Sequence, residues 1–331
     1  MILKKNINKI LYLFLFSHLL LWTLIPSFSN LNLPLDTIEA LAWGSNLDWG
    51  FNKHPPMSAF FPEIFYQIFG SQDWAFYFLS QIFVIISFFY VFKLSKEILN
   101  NNLLGLISVL IIESIYFYNF TTPEYNVNVC QLPFWSLTVY YSWKIYSNKQ
   151  IKFLDCFLVG FFAALGFLSK YLFIYLLVSI DILFIYLIFI KKERKFDFKY
   201  LITLEVFLVV LVPHFIWLNN NDFITINYGL ARTGIEQSLL IDHIKFPLIL
   251  LIKQIGILIP FLVLIWLLLK KVKLKLNLGD KKLLFLLSIN LLPILLMFLT
   301  SFITGSKIRT MWMTPFYLFF GTFFVYMFQT Q

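Results

Sequence analysis

The chain has 331 residues, of which 60% are hydrophobic, 20% aromatic and only 13% charged, with a mean hydropathy of +0.80. A soluble domain is about a quarter charged, and a core of this size cannot hide such an apolar excess, so the composition excludes a water-soluble protein and implies a polytopic membrane protein. The formal net charge of +9 does not imply a nucleic-acid partner, because the basic residues fall in short clusters between apolar runs.

A bilayer core of about 30 Å takes about 20 apolar residues of helix. Runs of that kind fall at about 10–29, 74–92, 103–121, 126–145, 153–168, 171–190, 200–218, 246–269, 283–303 and 311–328, which predicts an all-α bundle of about ten spans. The first run follows Lys4, Lys5 and Lys9. It is long for a signal-peptide core and no small-residue cleavage site follows, so it reads as a retained span. Met57–Phe69 is a shorter apolar helix behind Pro55-Pro56, placed at the membrane surface or partly within it. The runs 153–168 and 171–190 are joined only by Ser169-Lys170, a tight hairpin. Cys130 and Cys156 lie in apolar segments without disulfide or metal-ligand spacing and read as small buried hydrophobes.

Lys and Arg set the orientation. With the N-terminus in the cytoplasm, the inner segments collect Lys4, Lys5, Lys9, Lys93, Lys96, the groups at 144–152 and 191–199, and Lys270, Lys271, Lys273, Lys275, Lys281 and Lys282. That is about 19 of the 26 basic residues. Both termini are then inside. The long polar loops 30–73 and 219–245 fall outside, so a site is expected on the non-cytoplasmic face of one transmembrane domain spanning 1–331, with no separate soluble C-terminal domain. No Walker or dinucleotide glycine motif stands on the inner face, which argues against ATP or a nucleotide-sugar as donor. Glu113, Asp181 and Lys253 fall inside spans, where charges tend to face the bundle interior. His214 and Asp222 flank the outer end of a span, and His214 reads as an interfacial histidine, with metal binding as the lesser alternative.

The outer loops carry the chemistry. Pro34 and Asp36 suit the first turn of a short amphipathic helix running to about Asn46. Asp36 and Glu39, three apart, point to one side of it, with Trp43 a turn further on; a helix lying solvated on the lipid surface would read the same way. In Lys53-His54-Pro55-Pro56 the prolines fix the backbone and hold a lysine suited to phosphate. Three roles are open to His54: metal ligand, donor to a phosphate oxygen, or helix cap. Glu124, behind Pro123, is either a dipole-stabilising residue or a second carboxylate facing the first loop. Lys170, Lys307 and Arg309 add cations on the same side; each alone fits a snorkelling role.

Together these blocks have a family likeness. Leu35-Asp36-Thr37-Ile38-Glu39-Ala40, Trp43-Gly44, Leu47-Asp48-Trp49-Gly50 and Lys53-His54-Pro55-Pro56-Met57 resemble the first loop of bacterial family 39-like glycosyltransferases of the GT-C class. That class includes protein O-mannosyltransferases and the aminoarabinose transferases of lipid A. Thr122-Pro123-Glu124-Tyr125-Asn126, Leu168-Ser169-Lys170-Tyr171, Pro213–Leu218 with Asn221-Asp222-Phe223, and Lys307-Ile308-Arg309-Thr310-Met311-Trp312 continue it in order.

The resemblance implies a multi-span enzyme that takes a sugar from a polyprenyl phosphate on the non-cytoplasmic side of a bacterial inner membrane. It implies Asp36 as base, Glu124 as the second-loop acid and Lys53 as the first-loop lysine, here separated from the prolines by His54. Many relatives carry further spans or a soluble domain beyond a tenth span.

On this reading Asp36 takes the acceptor's proton. Lys53, His54, Lys170, Lys307 and Arg309 meet the leaving phosphate, and Glu39 or Glu124 supports positive charge on the sugar. A divalent metal on His54 with Glu124 or Glu39 is a further expectation. The acceptor is a lipid such as lipid A, a polysaccharide or a protein. The alternative function is a transporter or flippase of lipid-linked saccharides, which calls for charges lining a midplane cavity.

Overall fold

In a computed structural model, which describes residues 6–269 and 279–329, the chain is helical throughout, and no strand occurs among the described residues. The helices are α1 (Ile7–Ser29), α2 (Leu35–Gly44), α3 (Met57–Phe69), α4 (Asp73–Leu99), α5 (Asn102–Ile112), α6 (Val127–Cys130), α7 (Leu132–Ser147), α8 (Phe153–Ser169), α9 (Ile174–Ile185), α10 (Lys199–Asn220), α11 (Ile224–Thr233), α12 (Asp242–Leu269), α13 (Lys281–Thr304) and α14 (Phe320–Gln329). Of the inner basic cluster, Lys4, Lys5, Lys270, Lys271, Lys273 and Lys275 lie outside the described residues.

Six helical segments are long and apolar enough to cross a bilayer: 7–29, 73–99, 171–190, 199–220, 242–268 and 281–304. A seventh span is made if Thr310–Tyr317 and Phe320–Phe328, bent by 50° to each other, count as one. This count does not confirm the expectation of about ten spans. The run 103–121 is helical only to Ile112, because the chain there breaks into turns and a 3₁₀ segment that lead to Thr122-Pro123-Glu124. The run 126–145 is interrupted at Gln131, and α8 has only 17 residues. Apolarity sets where a segment is buried; it does not make the segment straight or long.

Burial distinguishes the centre from the rim. In α4, 67% of the most apolar stretch is buried, against 17% in α10 and 22% in α12. The outward faces of α1, α10 and α12 are covered by exposed leucines, isoleucines and phenylalanines, which only an apolar solvent would accept. The chain is a multi-pass membrane protein. α4 packs against α1, α5 and α7; α8 lies between α7 and α10; α13 bridges α9 and α12; α14 packs on α5.

Local signals fix the ends of the elements that matter. Pro34 and Pro56 precede α2 and α3, and Asn126 caps α6 by accepting from Asn128 and Val129 N–H at 2.8 and 3.2 Å. α13 ends at Gly305, with φ +64, where a Cβ would also approach Ser238 and His243.

The intramembrane charges divide. Glu113 faces inward and binds His18 Nδ1 at 3.1 Å, while His18 Nε2 lies 3.1 Å from Gln81 Oε1. Asp181 and Lys253 are exposed on their helices rather than turned into the bundle as expected, since nothing inside pairs with them among the described residues. Cys130 and Cys156 are free and buried.

Candidate active site

Residues 124–125 hold the start of loop 30–73. The Asp36 backbone N–H donates to Glu124 Oε1 at 3.3 Å and the Thr37 hydroxyl donates to the Tyr125 carbonyl at 3.0 Å, so the first turn of α2 is docked on residues 124–125. That segment is itself pinned from within the bundle. Ser80 Oγ donates to the Thr122 carbonyl, and Gln81 Nε2 donates to Thr122 Oγ1 at 3.2 Å.

A histidine not assigned to any site in the sequence locks the other end. His214 is fully buried. Its Nδ1 lies 2.6 Å from the Trp49 carbonyl, which can only accept, so Nδ1 carries the proton and Nε2 accepts from the Tyr171 hydroxyl at 2.7 Å. Thr225 Oγ1 donates to the Phe51 carbonyl at 2.5 Å. The expectation of an interfacial histidine is corrected: His214 joins loop 30–73, α10 and the break between α8 and α9.

These clamps enclose a cavity of about 390 Å³. Asp36, Glu39, Lys53 and His54 form one wall, Lys170, Tyr171 and Tyr175 a second, Tyr228 and Arg232 of α11 a third, and Arg309 with Trp312 the fourth. Two carboxylates thus face five permanent or potential cations. Lys53 donates to Glu39 and lies 6.0 Å from the Tyr228 ring. Lys170, in extended backbone between α8 and α9, is buried at 6% exposure, donates to Asn128 Oδ1 at 2.5 Å and lies 5.1 Å from the Trp312 ring.

The electrostatics follow from burial. Desolvation raises the Asp36 carboxyl above its ordinary value and Glu39 adds to the rise, while Lys170, Lys53 and Arg309 oppose it. Glu124 is raised first by desolvation and then by the charge of Asp36. Burial pushes the Lys170 ammonium well down, with Asp36 opposing; the hydrogen bond from Glu39 holds Lys53 up. Burial, then Lys170 and Lys53, push half-buried His54 down to about 3, so it is a neutral imidazole, edge-on to Trp43 at 5.7 Å between ring centroids.

Among the sequence-selected residues, Asp36, Glu39, Lys53, His54, Lys170 and Arg309 share the cavity. Glu124 stands behind Asp36 and off the wall. Lys307 is exposed and off the wall too; its backbone N–H donates to the Thr233 carbonyl at 2.9 Å, which ties the 305–309 turn to α11. Asn128, Tyr175, Tyr228 and Arg232 were not selected from sequence, because no motif marks them; Tyr171 and Trp312 stand in blocks that carry the family likeness but were given no role. Among the described residues no three His, Cys, Asp or Glu side chains converge as a ligand set, and Glu39, one of the partners expected for His54, is engaged by Lys53.

The fold is similar to that in the crystal structure of ArnT from Cupriavidus metallidurans bound to undecaprenyl phosphate, with a TM-score of 0.66 and 11% identity over 95% of this chain and 59% of that one. The chain thus spans less than two thirds of that protein's length. No curated protein sequence matches it. Residues 53–217, just under half of the chain, match the family described as dolichyl-phosphate-mannose-protein mannosyltransferase. The matched segment contains Lys53, His54, Glu124 and Lys170.

Proposed function

We propose that this chain transfers a sugar from a polyprenyl-phosphate donor to an envelope acceptor, either lipid A, a polysaccharide or a protein, on the non-cytoplasmic face of a bacterial inner membrane. One observation carries the reading. The charged cavity adjoins an apolar groove of about 440 Å³ between α9 and α13, and the two spaces share Tyr175 and Thr300. A polar room with cations beside an apolar channel suits a molecule with a phosphate at one end and a hydrocarbon chain at the other. The family match and the likeness to a protein holding undecaprenyl phosphate support the same donor class.

In the proposed step the acceptor oxygen bonds to the anomeric carbon as that carbon's bond to the phosphate oxygen breaks. The hydroxyl proton passes to Asp36, whose raised pKa makes it a stronger base than a solvated carboxylate. The departing polyprenyl phosphate is met by Lys170, Arg309 and Arg232, while Lys53 serves through its pair with Glu39. Glu39 supports charge on the sugar, and Glu124 holds the Asp36 turn in place. One direct displacement inverts the anomeric centre.

The transporter alternative calls for charges lining a midplane cavity; Asp181 and Lys253 are exposed on their helices, and Glu113 is engaged by His18. Purified chain given labelled polyprenyl-phosphate sugar and extracted envelope lipids should move label to an acceptor, and Asp36→Asn should not. Translocation of the donor without any transfer would overturn the reading.

A further inference from the structure

A second cavity, of about 800 Å³, lies at the far end of α9, α10 and α13 from the charged cavity. Five cations line it, Lys149, Arg194, Lys195, Lys281 and Lys282, against the carboxylates Glu193 and Asp197. The cations are not equivalent. Arg194 is held by the carbonyls of Tyr146 and Asn148 at 2.5 and 2.6 Å. Lys282 donates to the Ile98 carbonyl at 2.6 Å, and Lys281 pairs with Glu193 at 2.9 Å. Lys149 and Lys195 have neither a hydrogen bond nor an ion pair among the described residues.

Tyr200, at the start of α10, adds an independent sign. Its hydroxyl is buried without a hydrogen-bond partner, although a phenol taken from water normally finds one. Two unpartnered ammonium groups and one orphaned donor border the same roomy cavity, and a group with several anionic oxygens would complement all three. Trp143 and Phe196 supply apolar wall beside them, and the cavity sits where helices end.

We propose that this cavity binds the phosphate of an anionic membrane lipid, neutralised by Lys149 and Lys195 and hydrogen-bonded by the Tyr200 hydroxyl. A surplus of cations between helix ends is a recurrent way to hold such headgroups. The ligand would bridge α7, α10 and α13 at the end of the bundle where the sequence places its positive-inside clusters. The site is separate from the transfer machinery and does not depend on the reading given to it.

Native mass spectrometry of the full chain, released from vesicles of phosphatidylglycerol and phosphatidylcholine, tests this. The wild type should retain phosphatidylglycerol over phosphatidylcholine. Lys149→Ala with Lys195→Ala should weaken that retention roughly 30-fold, at about 1 kcal/mol per charge; both side chains are exposed and unpaired, so the fold should persist. Tyr200→Phe should weaken it severalfold with the ring still in place. Equal retention of the two lipids by the wild type, or equal phosphatidylglycerol retention by wild type and double variant, would overturn the proposal. Capture of inorganic phosphate with no lipid preference would assign the cavity to a soluble phosphate and overturn the lipid assignment.

Discussion

Asp36 and Glu124 are 88 residues apart in sequence, yet the Asp36 N–H donates to the Glu124 carboxylate. The bond makes one acid the mount of the other. Their roles should separate on mutation. Asp36→Asn removes the base and should lower kcat by about 10²–10⁴-fold with KM for donor little changed. Glu124→Gln keeps an acceptor oxygen and should lose much less than Glu124→Ala, which leaves the Asp36 amide unsatisfied. Steady-state kinetics on inserted, folded variants distinguish the two, and equal loss for Gln and Ala would show that the Glu124 charge itself is required.

The pH profile carries a sign. Asp36 must be ionised to accept a proton, so the rate falls as pH falls through its pKa. Burial and then Glu39 raise that pKa, which moves the acidic limb of kcat up from where a solvated aspartate would put it. Glu39→Gln removes the like charge and should move the limb down. Lys170→Met removes a cation that lowers the pKa and should move it up. A limb unmoved by either change would detach Asp36 from the rate.

Four cations selected from sequence are not alike in space. Arg309 is on the cavity wall and Lys307 is exposed beyond it. Arg309→Ala should raise the donor KM about tenfold or more, as expected for a charged hydrogen bond, whereas Lys307→Ala should stay within about twofold. Lys53→Ala also leaves Glu39 without its ion-pair partner, so Lys53→Ala with Glu39→Gln should recover part of the loss. Donor titration with a fixed acceptor reads all four variants.

Gly166 lies one turn before the break that presents Lys170. A Cβ there would come within 2.2 Å of the buried Phe173 ring. Gly166→Ala should destabilise by about 1–3 kcal/mol and disturb Lys170 through the shifted ring. A lowered melting temperature in detergent together with a raised donor KM is the expected pair; an unchanged melting temperature would mean that the packing gives way freely.

The sequence made much of this legible, for identifiable reasons. Pro34 and Pro55-Pro56 announce α2 and α3 because proline fixes φ and suits helix starts, and both helices appear within a few residues of the expected ends. The gathering of Asp36, Lys53, Lys170 and Arg309 was suggested by unusual polarity in an apolar chain. His214 was misjudged because a histidine near a span end looks interfacial until Trp49 and Tyr171 are seen on either side. Arg232 and Tyr228 were missed because nothing in loop 219–245 says that α11 folds back over the cavity. The expected runs are interrupted at Ile112 and Gln131 and bent at Leu318–Phe319, breaks that hydropathy does not encode.

The seam at Tyr175 and Thr300, whose hydroxyls are 2.9 Å apart, sets how substrate and enzyme would meet. A carrier whose head enters at this hydroxyl pair can leave its tail among the acyl chains from loading to discharge. Encounter is then two-dimensional, and turnover would track the surface density of carrier in the leaflet and its lateral diffusion. Diluting the bilayer with inert lipid would slow such an enzyme even at constant bulk amounts of every reactant.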